Sequence, residues 1–197
     1  MCENFQLAQP SEAALTLIIV LVVIAVIIFL IIGLYNSLVQ LRVRADSAWS
    51  DIDVQLKRRR DLIPNIVETV KGYAAHEKGT FENIAKWRSA AMSATTPAET
   101  AQAENQLTGA LRQLFAVAEA YPQLRASEQF TSLTESLREV EDAIQNARRY
   151  YNAVVRDYNT RLQSFPANMF ASALGFQPKQ FFELASPQDR EVPQVKF

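Results

Sequence analysis

Acid-base, nucleophilic and metal chemistry all need particular side chains within bonding reach, and this 197-residue chain supplies few of them. Its one histidine is His76 and its one cysteine is Cys2. The architecture derived below puts them at opposite ends and on opposite sides of a membrane, which excludes a Cys-His dyad or a zinc site within one chain. His76 stands between Ala75 and Glu77 at a helix-end turn, with no nucleophile elbow in the chain, so it reads as a solvated turn residue. The five glycines are scattered singly, which leaves no glycine-rich phosphate loop. Carboxylates are plentiful, but the paired Glu-x-x-His motifs of carboxylate-bridged metal bundles are missing. No catalytic residue, metal or cofactor is expected. Cys2 lacks the preceding apolar segment and lipobox of a bacterial lipoprotein and reads as an ordinary thiol.

Two polar groupings remain. Lys57-Arg58-Arg59-Arg60 invites a lipid or nucleic-acid reading, but a net charge of -1 gives no basic excess, so no nucleic-acid partner is expected. The run also lies roughly 35 Å along a helix from the membrane edge, whereas headgroup attraction fades within about 8 Å. Four successive basic residues point around most of a helix, which predicts a solvated face with one or two of Arg58, Arg59 and Arg60 paired to the long helix that follows Ser127. Arg42 and Arg44, nearer the membrane, are the expected headgroup contacts. The second grouping repeats Arg, Tyr and Asn one heptad apart, in Arg149-Tyr150-Tyr151-Asn152 and Arg156-Asp157-Tyr158-Asn159. Polar groups flanking an apolar seam commonly fix register or partner choice. Either they bond within the chain to Asp61 and Asn65, or they form a binding surface of their own.

The elements that must position these groups follow from composition and period. Hydrophobic residues make up 49% of the chain, yet residues 13 to 35 carry no charge and are apolar except for Thr16 and Gly33. At 1.5 Å per helical residue the run spans roughly 34 Å, enough for a bilayer core of about 30 Å. It predicts a transmembrane anchor, with Leu15, Ile18, Leu21, Ile28, Phe29 and Ile32 facing lipid. A signal peptide is disfavoured because the leading segment carries Glu3 and Glu12, no Lys or Arg precedes the run and no small-residue cleavage site follows. All 20 basic residues lie beyond the run, so the positive-inside rule places residues 1–12 outside and the remainder in the cytoplasm.

Beyond the anchor, no Gly or Pro occurs between Gly33 and Pro64 or between Pro122 and Pro166, which points to long helices. The first should continue the anchor to about Ala75 through Leu38, Leu41, Ala45, Ala48, Ile52 and Leu56, with a stutter before Ile63, Ile66, Val70 and Tyr73 and a kink at Pro64. A short helix follows over 80–94. Thr96-Pro97-Ala98-Glu99 then reads as a capping box opening a third, and Ser127 caps a fourth. The fourth carries Phe130, Leu133, Leu137, Val140, Ile144, Ala147, Tyr151, Val154 and Tyr158 in unbroken alternation of three and four, the mark of a bundle seam. The fold expected is all-α: a single N-terminal transmembrane helix continuous with a long antiparallel helical bundle of three rods and four helical segments. The second and third segments stack end to end, and the Tyr121 to Ser127 turn lies near the lipid. The bundle covers 36–163 and a Phe/Pro-rich tail 164–197. That tail either seals the bundle or, from its membrane-distal end, docks Phe170, Phe176, Phe181 and Phe182 on a neighbouring chain.

The block Gln55-Leu56-Lys57-Arg58-Arg59-Arg60-Asp61-Leu62-Ile63-Pro64-Asn65-Ile66-Val67-Glu68-Thr69-Val70-Lys71-Gly72-Tyr73 resembles the signature of the LemA family. The likeness continues through Ala147 to Asn152, Val155 to Asn159, Ser164-Phe165-Pro166, Gly175-Phe176 and Phe181-Phe182-Glu183, departing at Tyr150, where an acidic residue is expected. The resemblance implies a bacterial inner-membrane protein with one N-terminal anchor and a helical domain, and it implies no catalytic residues. The MamQ-type magnetosome branch of that family, associated with membrane invagination, implies by analogy a membrane-organising role. The function expected is a noncatalytic scaffold that self-assembles as a homo-oligomer on the lipid bilayer. An adaptor or signalling subunit holding another membrane protein is the alternative.

Overall fold

A single α-helix, α1 (Glu12–Lys71), carries both the apolar run and the first wall of the bundle in the computed structural model, which describes residues 12–183. Its 60 residues correspond to roughly 90 Å of helix. Over residues 13 to 35 nearly every large apolar side chain is exposed, and from Leu38 onward one face is buried: Leu38, Ala45, Ala48, Ile52, Leu56, Arg59, Ile63, Ile66 and Val70. Arg59 occupies the place where the apolar pattern alone shows a gap. The seam runs on through a charged residue, three past Leu56 and four before Ile63.

Pro64 lies inside α1 without ending it. A proline has no N–H to give the carbonyl four residues back, which strands the Arg60 oxygen. Arg88 of α2 (Lys78–Ser93) donates its Nε–H to that oxygen at 2.9 Å, so a neighbouring helix supplies the missing bond.

After the 72–77 turn, α2 runs back beside the upper part of α1. Three residues later α3 (Pro97–Glu119) begins on a complete capping box, in which Thr96 accepts from the Glu99 N–H and Glu99 accepts from the Thr96 N–H. The one-turn α4 (Pro122–Arg125) leads to α5 (Glu128–Gln163), capped by Ser127. Across this short link α2 and α3 are antiparallel neighbours packed side by side, with Asn83 and Gln113 3.5 Å apart. The expected end-to-end stacking is thereby corrected. Because α3 returns to the far end, the Tyr121 to Ser127 turn lies there too, with Leu124 and Phe130 in the same cluster as Val70 and Ala74. Helix α5 then descends antiparallel to α1, and its Leu162 meets Leu38 at the anchor end.

Three apolar clusters stack along this axis. The far one is built from α1, α2, α3 and α5; the middle one joins Ala45, Ala48, Ile52 and Leu56 to Ile144, Tyr151, Val154 and Phe182. The anchor-end cluster contains Leu38, Tyr158, Leu162, Ala167, Ala171 and Phe176. Past α5 the chain forms the one-turn α6 (Ala167–Phe170) and a turn closed by Gly175 at φ 77°. The Phe176 N–H reaches the Ala171 carbonyl and the Gly175 N–H reaches that of Ser172, a Schellman closure that needs a left-handed residue. It sends residues 176–183 back along α1 and α5, away from the anchor. The described part of the tail, residues 164–183, thus clamps the anchor half of the bundle, not its far end.

Candidate functional site: a charge node and a backbone clasp

Two constructions hold the polar residues of interest. The first lies between the middle and far clusters. Arg59 is 1% exposed and Glu104 0%. The guanidinium donates from Nη1 to Glu104 Oε2 at 2.9 Å and from Nη2 to Thr108 Oγ1 at 2.7 Å, both on α3, and it pairs with Glu141 of α5 at 2.8 Å. Arg60 donates to the Ala91 carbonyl in the last turn of α2 at 2.6 Å, where unbonded carbonyls and the helix dipole favour a cation. Four helices meet through adjacent arginines. Burial pushes the Glu104 carboxyl above the usual carboxylate range, and the Arg59 and Arg60 charges pull it back. Since its partners are side chains and one backbone carbonyl of the other helices, the node joins helices.

The second construction is the clasp. Asn152 donates Nδ2–H to the Phe182 carbonyl at 3.1 Å and accepts from the Phe182 N–H at 2.9 Å. One heptad on, Asn159 treats Lys179 identically, at 2.9 Å in each direction. The Tyr151 hydroxyl donates to the Gln180 carbonyl at 2.8 Å, and that of Tyr158 to the Gln177 carbonyl at 3.0 Å. Seven helical residues rise about 10.5 Å, and three extended residues cover about 10 Å. A heptad on α5 therefore matches a triplet in the strap, and the same pair of residue types grips it twice. Burial raises the hydroxyls of Tyr151 and Tyr158 above the ordinary phenol range, so both stay protonated and able to donate. Side-chain contacts complete the hold: Lys179 pairs with Asp46 at 2.6 Å, and Trp49 packs on Tyr151 and Phe182 with ring centroids 5.4 Å apart in each case.

The other residues singled out in the sequence are spread more widely. Tyr151, Asn152, Tyr158 and Asn159 do bond within the chain, but to the strap; Asp61 and Asn65 are exposed on α1. Arg58 is exposed and bonds Gln55 on its own helix, Arg149 bonds Asn146, and Arg156 is exposed. Arg42 lies over the Phe176 ring at 5.8 Å, while Arg44 is exposed. Phe176 and Phe182 are buried in the chain's own core, whereas Phe170 and Phe181 are exposed. Leu15, Ile18, Leu21, Ile28, Phe29 and Ile32 are all exposed along the apolar run. His76 sits in the exposed turn after α1, and Cys2 lies outside the described residues. Sequence reasoning missed Glu104, Thr108, Glu141 and Arg88. Glu104 had a signal, because it stands three residues before Leu107 on the stripe Leu107, Leu111, Leu114, Ala118, a seam position filled by a charge just as Arg59 fills its own.

These features define a class: a membrane-associated, all-helical protein whose apolar helix runs uninterrupted into a bundle and is clasped by a C-terminal strap. The chain matches the LemA family over residues 48–197, and it belongs to that family. It is 28% identical over 175 residues to "Magnetosome protein MamQ 2" of Paramagnetospirillum magneticum, which covers 76% of this chain and 64% of that protein. It is 26% identical over 168 residues to "Protein LemA" of Metamycoplasma hominis, covering 83% of this chain and 75% of that one. To "Magnetosome protein MamQ" of Magnetospirillum gryphiswaldense it is 24% identical over 189 residues, covering 82% and 70%.

Proposed function

We propose that this chain is a noncatalytic scaffold of the bacterial inner membrane, anchored by its first helix, with the N-terminus outside and the bundle in the cytoplasm. Copies assemble side by side, and the array organises or remodels the bilayer. The observation that carries this reading is the continuity of α1: one helix holds the apolar run and the bundle seam, so a lateral force on the bundle acts directly on the anchor. The charge node and the clasp support it by making the post stiff. Val43 and Val54, about three turns apart on one face of α1, are exposed and offer lateral contacts. Two of the relatives are magnetosome proteins by name, which is consistent with work at a membrane. The orientation rests on every Lys and Arg following residue 35.

The test is the mass of the full-length particle in mild detergent. The scaffold reading expects a particle many times the 22.2 kDa chain. A monomer at micromolar concentration overturns it, and a small particle that captures one stoichiometric membrane protein supports the adaptor alternative instead.

A further inference from the structure

We propose that the turn following α5 is a second membrane contact, in which Phe165, Met169, Phe170 and Leu174 enter the lipid surface beside the point where the anchor emerges. The inference goes beyond the scaffold reading and rests only on the anchor crossing a bilayer. It begins with placement. Leu34, in the last turn of the apolar run, packs with Leu38 against the cluster that contains Ala167, Ala171 and Phe176. Tyr35, the final residue of that run, meets Phe176 edge-on with ring centroids 5.5 Å apart. These contacts hold the turn at the height where the apolar helix ends. An anchor that spans the bilayer therefore brings the turn to the boundary between headgroups and acyl chains.

Composition and exposure point the same way. Between Arg161 and Lys179 the sequence carries no charge, the longest such stretch outside the anchor region. Within it Phe165 is 78% exposed and Met169 65%, and Phe170 and Leu174 are exposed as well. Four large apolar side chains in so short a turn form a patch of the kind that marks a membrane or protein contact. Here the neighbouring surface is lipid, because the patch adjoins the anchor itself. Arg42 stacks over Phe176 just above it, and Arg44 lies exposed two residues on, which suits a surface bearing phosphate headgroups.

The Schellman turn at Gly175 and the clasp fix this patch rigidly to α1. With two attachments, the anchor and the turn, the helix loses the freedom to tilt and rotate that a lone span retains. The post then stands at a set angle with a set face toward its neighbours.

The experiment uses the full chain with Cys2→Ser and one introduced cysteine carrying an environment-sensitive fluorophore. It is reconstituted in phosphatidylethanolamine and phosphatidylglycerol vesicles that contain a lipid with a shallow nitroxide, which reports on positions 165 and 145, or in parallel one with a nitroxide deep in the acyl chain, which reports on position 24 at the bilayer midplane. Phe165→Cys carries the probe, Ile24→Cys marks the anchor, and Gln145→Cys marks an exposed position on α5. Helical circular dichroism checks each variant. The expected result is a blue-shifted, nitroxide-quenched probe at position 165 and an unshifted, unquenched one at 145. A probe at 165 that behaves like the one at 145 while 24 remains quenched overturns the proposal and leaves the anchor intact. A blue shift at 165 without quenching by lipid also overturns it, since the patch is then covered by protein. Loss of quenching at 24 removes the anchor reading, and the proposal with it. The mass of the detergent particle tests the scaffold separately.

Discussion

Replacing Arg59 by methionine keeps an unbranched side chain of similar length in the seam but removes the charge that faces Glu104. The carboxylate is 0% exposed and its Oε2 is bonded to Arg59 at 2.9 Å. The remaining cation, Arg60, stands 3.8 Å from Oε1, outside hydrogen-bonding range. Glu141, which is partly solvated, regains water and adds little to the cost. The loss is therefore that of a buried pair broken on one side, about 3–5 kcal/mol. For a bundle of this size that lowers the melting midpoint by roughly 10 °C. The pH dependence has a definite sign. Burial already raises Glu104, and removing Arg59 raises it further. A carboxyl whose folded pKa is raised holds its proton more tightly in the native state. Its contribution is fully present below the unfolded pKa of about 4.3 and is lost as pH rises through the folded value. Arg59→Met should thus be most destabilised near neutral pH and should regain stability on acidification relative to the parent. Adding Glu104→Gln should recover part of the loss and abolish that extra pH dependence, leaving the cost of an unpaired amide. Denaturant melts of the full chain in detergent, followed by helical circular dichroism across pH, measure both effects. An Arg59→Met chain within about 1 kcal/mol of the parent at neutral pH, with an unchanged pH profile, refutes the argument that the pair is buried and mutually dependent.

The clasp predicts that Asn152→Ala and Asn159→Ala each release two backbone bonds, at about 1–3 kcal/mol per site, and that the pair of changes makes the 176–183 segment readily cut by protease while α1 and α5 stay helical. Equal resistance in parent and double variant counts against the clasp. Gly175→Ala meets no atom within 4 Å of the added Cβ, so its cost is that of a left-handed backbone alone, about 1–2 kcal/mol; a neutral result in the same melts speaks against the Schellman closure.

Much of this protein is determined by its sequence alone, because local period and local capping report on local structure. The uncharged run, the two long spans without Gly or Pro, the Thr96 capping box and the Ser127 cap mark the helices, and seven of the nine stripe residues of α5 are buried, with Leu133 and Ala147 half-buried. The family resemblance is legible too, since its blocks lie in order along one chain. What period does not encode is which face of a helix meets which neighbour. A three-residue link between the second and third helices allows an end-to-end stack as well as a hairpin, and only packing selects the hairpin. The same limit hid the two polar constructions. The period does not say which arginine of the basic run is buried until α3 and α5 bring Glu104 and Glu141 to Arg59, and a basic residue is stable in a seam only when such partners arrive from elsewhere in the chain. Tyr151, Asn152, Tyr158 and Asn159 announced a heptad of hydrogen-bonding groups. Their partner is backbone some 20 to 30 residues away, and a backbone amide carries no sequence signature. Sequence thus determined the helices and the family, while tertiary structure decided the pairing. Hydrophobic period and capping act over a few residues, whereas burying a charge or clasping a strap depends on surfaces that exist only once the chain has folded.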